Sequence, residues 1–373
     1  MREYQEDFKE RVNTLSTNPR ISIIMSVYNG EDYIRETLDS ILSQTFRDWE
    51  LVVINDCSTD STPHILKEYA GRDERVKHHN NEVNLRLQKS LNKALGLAKG
   101  EYIARMDADD ICLPDRLQKQ YDFMEANRDV ALSSCRFMTV KNGVYASGGC
   151  GGRCDNDAIR AMLLVTNPIL HPGVIARTDV IRELGYDDTC TCTEDLELWI
   201  RMSMQGKKMA ILPECLLIYR LHDKQITSTT LEKQHKEVMK IQNKHYGSLL
   251  DVMDEEMQSF YISGVYFKEK ADAKSFQSYA KWLKRANAKT KAFSRETVDY
   301  ALFEMLAEYK RQGISKKDVM ASMLLFSPVF ILREIMRRKR TAKLDIQKCT
   351  QAAESFGLTR TGGTDEFPVF SKK

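Results

Sequence analysis

The chain has 373 residues, 42% of them hydrophobic and 29% charged, with a formal charge of +3. Such a length carries one large domain plus an appendage, or two domains, and the ordinary composition excludes disordered and fibrous classes. Near-balanced charge leaves no general nucleic-acid footprint, so no nucleic-acid partner is expected.

Residues 1–20 are polar and mixed in charge, lack the apolar core of a secretory signal, and are read as an N-terminal extension. Nine cysteines, an odd number without such a signal, fit a reducing cytoplasm. The first strong element is ISIIMSVYNG at 21–30, a β-branched run closed by Asn-Gly and followed by the helical EDYIRETLDSILSQ. The pattern repeats as strand WELVVINDCSTD and helix STPHILKEYAG, then strand VKHHN and helix LRLQKSLNKALGLAKG, leading into GEYIARMDADD. Alternating strands and helices predict an α/β fold with a doubly wound, mostly parallel sheet.

In such sheets ligands bind beyond the carboxyl ends of the strands, and the polar strings YNGED, NDCSTD and DADD fall there. One shared ligand site explains them better than three independent turns. RMDADD crowds Asp107, Asp109 and Asp110 together, so a compensating cation or donor is expected unless the segment is a solvated turn and helix cap. No GxGxxG or GxxxxGK[ST] follows these strands, so a phosphate-bearing ligand would need neutralising by a divalent cation on Asp107 or Asp109.

Beyond Asp110 come helix PDRLQKQYDFMEAN with Pro114 near its start, strand VALSSCRFMTV and the loop GGCGGRC. Next are NPILHPGVIARTDVIRELGYDD, a strand and helix, and helix TEDLELWIRMSMQGK, whose entry carries Thr193, Glu194 and Asp195. The strand-like MAILPECLLIYRLHDKQITS closes this part near residue 228. Cys150, Cys154, Cys190 and Cys192 form two close pairs, but the gaps do not match structural zinc spacing, and reduced bystander thiols are the default reading.

Residues 229–345 have helical spacing and few turn signals, which suggests a separate helical region. Within it DVMASMLLFSPVFILREIMRRKRTAK is apolar, broken at Ser327-Pro328, and followed by Arg337, Arg338, Lys339 and Arg340. It reads as an interfacial helix on an anionic leaflet or as a core or dimer-contact helix with a basic end. No run reaches the roughly 18 apolar residues of a spanning helix. The polar residues 346–373 are expected to be a disordered tail.

Together SIIMSVYNGEDYI, LVVINDCSTDST, GEYIARMDADDICLPDRL, HPGVIAR, GYDD, EDLELWIRM and YRLH resemble family 2 glycosyltransferases of the GT-A fold, over residues 21 to about 228. The resemblance implies a nucleotide-sugar-binding half at 21–110 and an acceptor half at 111–228. It further implies inverting transfer of a sugar from a nucleotide-sugar, a UDP-sugar, to an acceptor hydroxyl, with Mn2+ or Mg2+. Ser26 and Tyr28 would lie at the nucleobase and Asp56 would accept from its imide nitrogen. Asp107 would serve the ribose or the metal and Asp109 the metal itself, with Asp110 behind them or capping the turn. His222 would add a ligand or a diphosphate contact, Asp195 would be the catalytic base, and Glu194 is its competitor.

Bland readings stand beside these: Tyr28 as a strand-end aromatic, Asp56 as a helix cap, His222 as structural, and the Glu-Asp pair as favouring a helix dipole. Glu197 stands where many relatives carry Asp. With no Gln-x-x-Arg-Trp string and no spanning segment, the resemblance points to non-processive transfer. The implied acceptor is a glycan or lipid-linked saccharide in capsule, O-antigen or other bacterial surface-glycan synthesis, with the protein cytoplasmic and peripheral on the inner membrane. The alternatives are a nucleotidyltransferase and a catalytically silent GT-A module that binds a partner.

Overall fold

Four parallel strands, β1 (Ile21–Val27), β2 (Trp49–Asn55), β3 (Val76–Asn80) and β4 (Tyr102–Arg105), lie in the order β3-β2-β1-β4. They belong to a computed structural model that describes residues 18–148, 154–222, 231–250, 273–311, 313–363 and 368–372. Most of the N-terminal extension, Cys150 and the close of the transferase segment at 223–228 lie outside the described residues.

The strands read as continuous apolar runs because helices cover both faces of the sheet. On one face Ile24, Val52, Ile54 and Ile103 pack with Leu91 and Leu95 of α3 (Arg86–Leu97). On the other, Ile23, Met25, Leu51 and Val53 meet α1 (Ile34–Leu42) and α2 (Thr62–Arg72) through Leu38 and Leu66. α1 buries Ile34, Thr37, Leu38 and Ile41, the i, i+3, i+4, i+7 stripe of an amphipathic helix. Gly100 lets the turn into β4 lie against β1, since a Cβ there would meet the Ser22 nitrogen at 2.5 Å.

After β4 the chain forms β5 (Ile111–Cys112), α4 (Arg116–Ala126), β6 (Val130–Lys141), β7 (Val144–Ser147), α5 (Asn156–Met162) and β8 (Ile175–Arg177). Then come α6 (Thr178–Leu184), α7 (Glu194–Met204) and β9 (Lys208–Arg220). β8 joins the halves, antiparallel to β4 on one side and to β6 on the other. β6 runs parallel to β9, and β9 antiparallel to β5, so the sheet is mixed beyond its parallel first half.

The C-terminal helices are α8 (Leu231–Leu250), α9 (Ala273–Thr290), α10 (Arg295–Arg311), α11 (Lys316–Met323) and α12 (Pro328–Ser355). Helical spacing suggested a separate region, but Phe276, Tyr279, Phe303 and Leu306 share one core with Ile159, Leu198 and Trp199 of the transferase segment. Pro328 starts a helix instead of breaking one: Ser327 accepts from the Phe330 N–H as N-cap, and the proline occupies the first turn, where its missing donor costs nothing.

The expectation of a disordered tail at 346–373 is corrected. α12 continues to Ser355, and β10 (Leu358–Gly363) and β11 (Pro368–Lys372) form a hairpin whose second strand pairs antiparallel with β7. The segment is polar because it forms a sheet edge, yet Leu358 and Phe370 are buried with Tyr145, Ile218 and Cys349. No described helix is long and apolar enough to cross a membrane.

Candidate active site

Strand order reverses between β1 and β4, and the carboxyl ends of β1, β2 and β4 open there into a cavity of 1110 Å3. Its far wall is built by the loop before β8, the entry of α7, the end of β9 and the first turns of α8. The three polar strings picked out in sequence thus converge on one space. Ser26, Tyr28, Asp56, Asp107, Asp109, Glu194, Asp195 and His222 all line it.

On the β1-β2 side the loops are laced together. Asn29, at φ 51°, accepts from the Thr59 N–H at 2.8 Å, and the Gly30 N–H donates to Thr62 Oγ1 at 2.9 Å. Tyr28 is left 54% exposed, a ring presented to the cavity instead of the core cap that was its bland alternative. Asp56 is buried and accepts from Asn81 Nδ2 and from the Leu85 and Arg86 backbone N–H groups, each at 2.8 Å. It therefore anchors the start of α3, a role sequence gave only as a generic cap. Arg86 adopts φ 71°, a left-handed conformation that favours glycine, and its side chain stands at the cavity rim.

The acidic cluster has two cationic neighbours. Arg105, fully buried, ion-pairs with Asp107, and its charge also acts on Glu194. Arg220 reaches in from β9: its N–H donates to Asp110 Oδ1 at 2.9 Å, its Nε to the Asp109 carbonyl at 2.8 Å, and its terminal nitrogen to Glu36 at 2.5 Å. His222 Nε2 lies 2.8 Å from Asp109 Oδ2, its ring 4.9 Å from that of Tyr33, so the two distant motifs DADD and YRLH meet.

Carboxylate oxygens of Asp107, Asp109 and Asp110 come within 4.8 Å of one another. Burial, then the neighbouring Asp109, raises the Asp107 pKa against the opposing pull of Arg105; burial and both neighbouring acids push Asp110 well above the carboxylate range. Asp110 Oδ2 is buried with no hydrogen-bond partner among the described residues. An all-oxygen set with crowded negative charge and one orphaned oxygen fits a hard divalent cation such as Mg2+ or Mn2+. Asp110, placed behind the ligands from sequence, brings a carboxylate oxygen within the same 4.8 Å as those of Asp107 and Asp109.

Across the cavity, Glu194 and Asp195 open α7 with different surroundings. Glu194 is 6% exposed, and burial followed by the adjoining Asp195 charge pushes it up to about 8. Asp195 keeps part of its surface open to the cavity. Burial raises its pKa, opposed by the Leu196 N–H and by Asn167, whose Nδ2 donates to Oδ2 at 2.7 Å. Behind Glu194, His171 hydrogen-bonds Tyr186 through Nε2 at 2.9 Å, and burial followed by the Arg105 charge holds it neutral, well below the usual imidazole range.

The loop leading into α7 is fixed from α8. Glu237 accepts from the Thr191 and Cys192 N–H groups at 3.0 Å each, from Thr193 Oγ1 at 3.0 Å, and from the Thr191 hydroxyl. Glu197, whose role sequence left open, is fully buried and accepts from Arg201 Nε at 3.0 Å and His245 Nε2 at 3.1 Å, tying α7 to α8 a second time. Cys192 donates to Glu237 and Cys154 accepts from Arg136; these thiols and Cys190 fall outside the acidic group that could share an ion.

Asn167, Arg105, His171 and Glu237 were not singled out from sequence. Only the Asn-Pro turn of NPILHP hinted at the first, and nothing local connects Glu237 with a loop some 45 residues before it.

The sequence profile described as Glycosyl transferase family 2 matches residues 22–185. An uncharacterized glycosyltransferase of Haemophilus influenzae is 34% identical over 268 residues, covering 68% of this chain and 82% of its own. The O-antigen biosynthesis glycosyltransferase WbnJ of Escherichia coli is 34% identical over 217 residues, covering 57% of this chain and 83% of its own. Among solved structures, S. aureus TarS 1–349 in complex with UDP-GlcNAc shares the fold at a TM-score of 0.54 and 19% identity, over 80% of this chain and 93% of that one.

Proposed function

The chain belongs to glycosyltransferase family 2, and from that premise we propose that it is an inverting, metal-dependent enzyme that moves a sugar from a UDP-sugar to an acceptor hydroxyl. The observation that carries this reading is one cavity with the acidic cluster on one side and Asp195 on the other. An inverting displacement needs both: charge neutralisation at the leaving diphosphate and a base behind the attacking hydroxyl.

Asp195 takes the proton from the acceptor hydroxyl, while Asn167 Nδ2 and the Leu196 N–H hold its carboxylate in place. A carboxylate with a raised pKa is a stronger base than one in water, as general-base catalysis near neutral pH requires. Burial and the adjoining Asp195 charge push Glu194 up to about 8, so near neutral pH it is largely protonated, and we assign the base role to the more open Asp195. Mg2+ or Mn2+ held by Asp107, Asp109 and Asp110, with His222 against Asp109, would supply positive charge to the diphosphate. Tyr28 offers a stacking face for the uracil ring and Ser26 lines the same wall. Asp56 Oδ2, which accepts the Arg86 N–H, has a lone pair left for the imide proton.

WbnJ acts in O-antigen biosynthesis by its name, and we place this chain likewise in bacterial surface-glycan assembly, adding single sugars in the cytoplasm to a glycan or lipid-linked saccharide. A panel of nucleotide sugars tested for cation-dependent transfer or hydrolysis checks the reading. A UDP-sugar should be turned over with inverted product stereochemistry, and Asp195→Asn should bind donor yet not transfer it. Turnover by that variant near the wild-type rate would overturn the base assignment.

A further inference from the structure

The α11–α12 corner carries an apolar face that the fold leaves uncovered. Met320 is 65% exposed, Leu324 86%, Val329 78%, Leu332 61% and Met336 60%. Side chains this apolar are seldom grouped in the open without a partner.

Along α12, positions 329, 332 and 336 lie on one face at i, i+3, i+7 spacing, and the same face continues through 340 and 343. The exposed stripe therefore passes from apolar at the Ser327–Pro328 corner to basic at Arg340 and Lys343, with Lys339 beside it. The four-residue basic string read from sequence divides in the structure. Arg337 turns to Glu334 at 2.7 Å and Arg338 to Glu304, whereas Lys339, Arg340 and Lys343 point outward with no ion-pair partner among the described residues. Lys316 and Lys317 add exposed positive charge at the start of α11.

We propose that this corner is an interfacial anchor for an anionic lipid bilayer, with Leu324, Val329, Leu332 and Met336 entering the headgroup–acyl boundary and Lys339, Arg340 and Lys343 held at the phosphates. Apolar burial and attraction to acidic lipid add at such a surface. The unpaired charges on the exposed stripe of α12, Lys339, Arg340 and Lys343, are all cationic, which suits a negatively charged surface. The helix lies on the membrane and does not cross it, in keeping with the lack of a described helix apolar enough to span. The proposal does not depend on the transfer reading, because binding needs no turnover.

The test is co-sedimentation of the full chain with vesicles of phosphatidylcholine alone or mixed with phosphatidylglycerol. Wild type should bind the mixed vesicles about tenfold or more tightly, and high salt should weaken that preference. Leu324→Glu combined with Leu332→Glu should abolish sedimentation with an unchanged melting temperature, since both side chains are exposed. Should that pair misfold, Lys339→Glu with Arg340→Glu tests the charged half alone and should erase the preference for acidic vesicles. Absence of wild-type binding to either vesicle, or wild-type binding by a folded variant, overturns the proposal. So does a dimer in solution that Leu324→Glu dissociates without any vesicle binding by wild type, which would assign the face to a second copy.

Discussion

Asn167 donates a 2.7 Å hydrogen bond to Asp195 Oδ2, and both residues line the cavity opposite the acidic cluster. The amide favours the ionised carboxylate, while burial opposes it and prevails, leaving the pKa above its usual value. Transfer should therefore fall on acidification with a limb displaced above the ordinary aspartate range. Asn167→Ala removes a contact that lowers the pKa, so its limb should move further up, with kcat reduced about 10- to 100-fold. A pH–rate profile of the variant superimposable on that of wild type would count against this.

Asp109→Ala should remove the divalent-cation dependence of nucleoside diphosphate binding, as read by calorimetry with and without Mn2+. Asp110→Asn separates the two roles considered for that acid. A ligand position predicts cation affinity weakened about tenfold or more; a turn cap predicts a lower melting temperature with cation affinity intact.

Two buried groups give stability opposite pH dependences. Burial and then the adjoining Asp195 charge push Glu194 up to about 8 from the ordinary 4.5, so its neutral form is favoured by the fold. The folded state is unpenalised below 4.5 and loses stability progressively as pH rises towards 8. His171 is held well below 6.5, so its contribution is intact above that value and lost as pH falls below it. Glu194→Gln should flatten the alkaline side of a plot of melting temperature against pH and leave the acidic side unchanged.

Glu237→Ala strips the acceptor from the Thr191, Cys192 and Thr193 donors. Leaving such part-buried donors unpaired costs about 1–3 kcal/mol, seen as a lower melting temperature. Because that loop enters α7, kcat should fall while donor affinity holds, and Glu237→Gln should recover part of the rate. Equal loss of donor affinity would mean that the wall as a whole had collapsed.

Arg86→Gly should stabilise the fold by about 1 kcal/mol, since glycine adopts φ 71° without the penalty arginine bears. Urea titration of the two proteins measures it.

The parallel half of the fold was readable because β1, β2 and α1 to α3 each announce themselves locally, by β-branched runs and by 3.6-residue spacing. The candidate site residues at strand ends that meet in the cavity were readable for the same reason: Tyr28, Asp56 and Asp109 sit where a buried run meets a polar string. Asn167, Arg105 and Glu237 act through partners supplied by the tertiary fold, and a single polar residue in a loop or on an ordinary helix carries no spacing to betray it. The tail failed differently. An edge strand with one open face has the composition of a disordered segment, and only pairing with β7 sets it apart.

That pairing bears on how the protein is made. Val369 faces Ala146 and Phe370 faces Tyr145, so the outer edge of β7 stays uncovered until β11 has left the ribosome. In the interval a strand with an exposed valine at position 144 offers unpaired backbone groups to any neighbouring nascent chain. A truncation that removes residues 358–373 would make the interval permanent and should raise the aggregated fraction during overproduction.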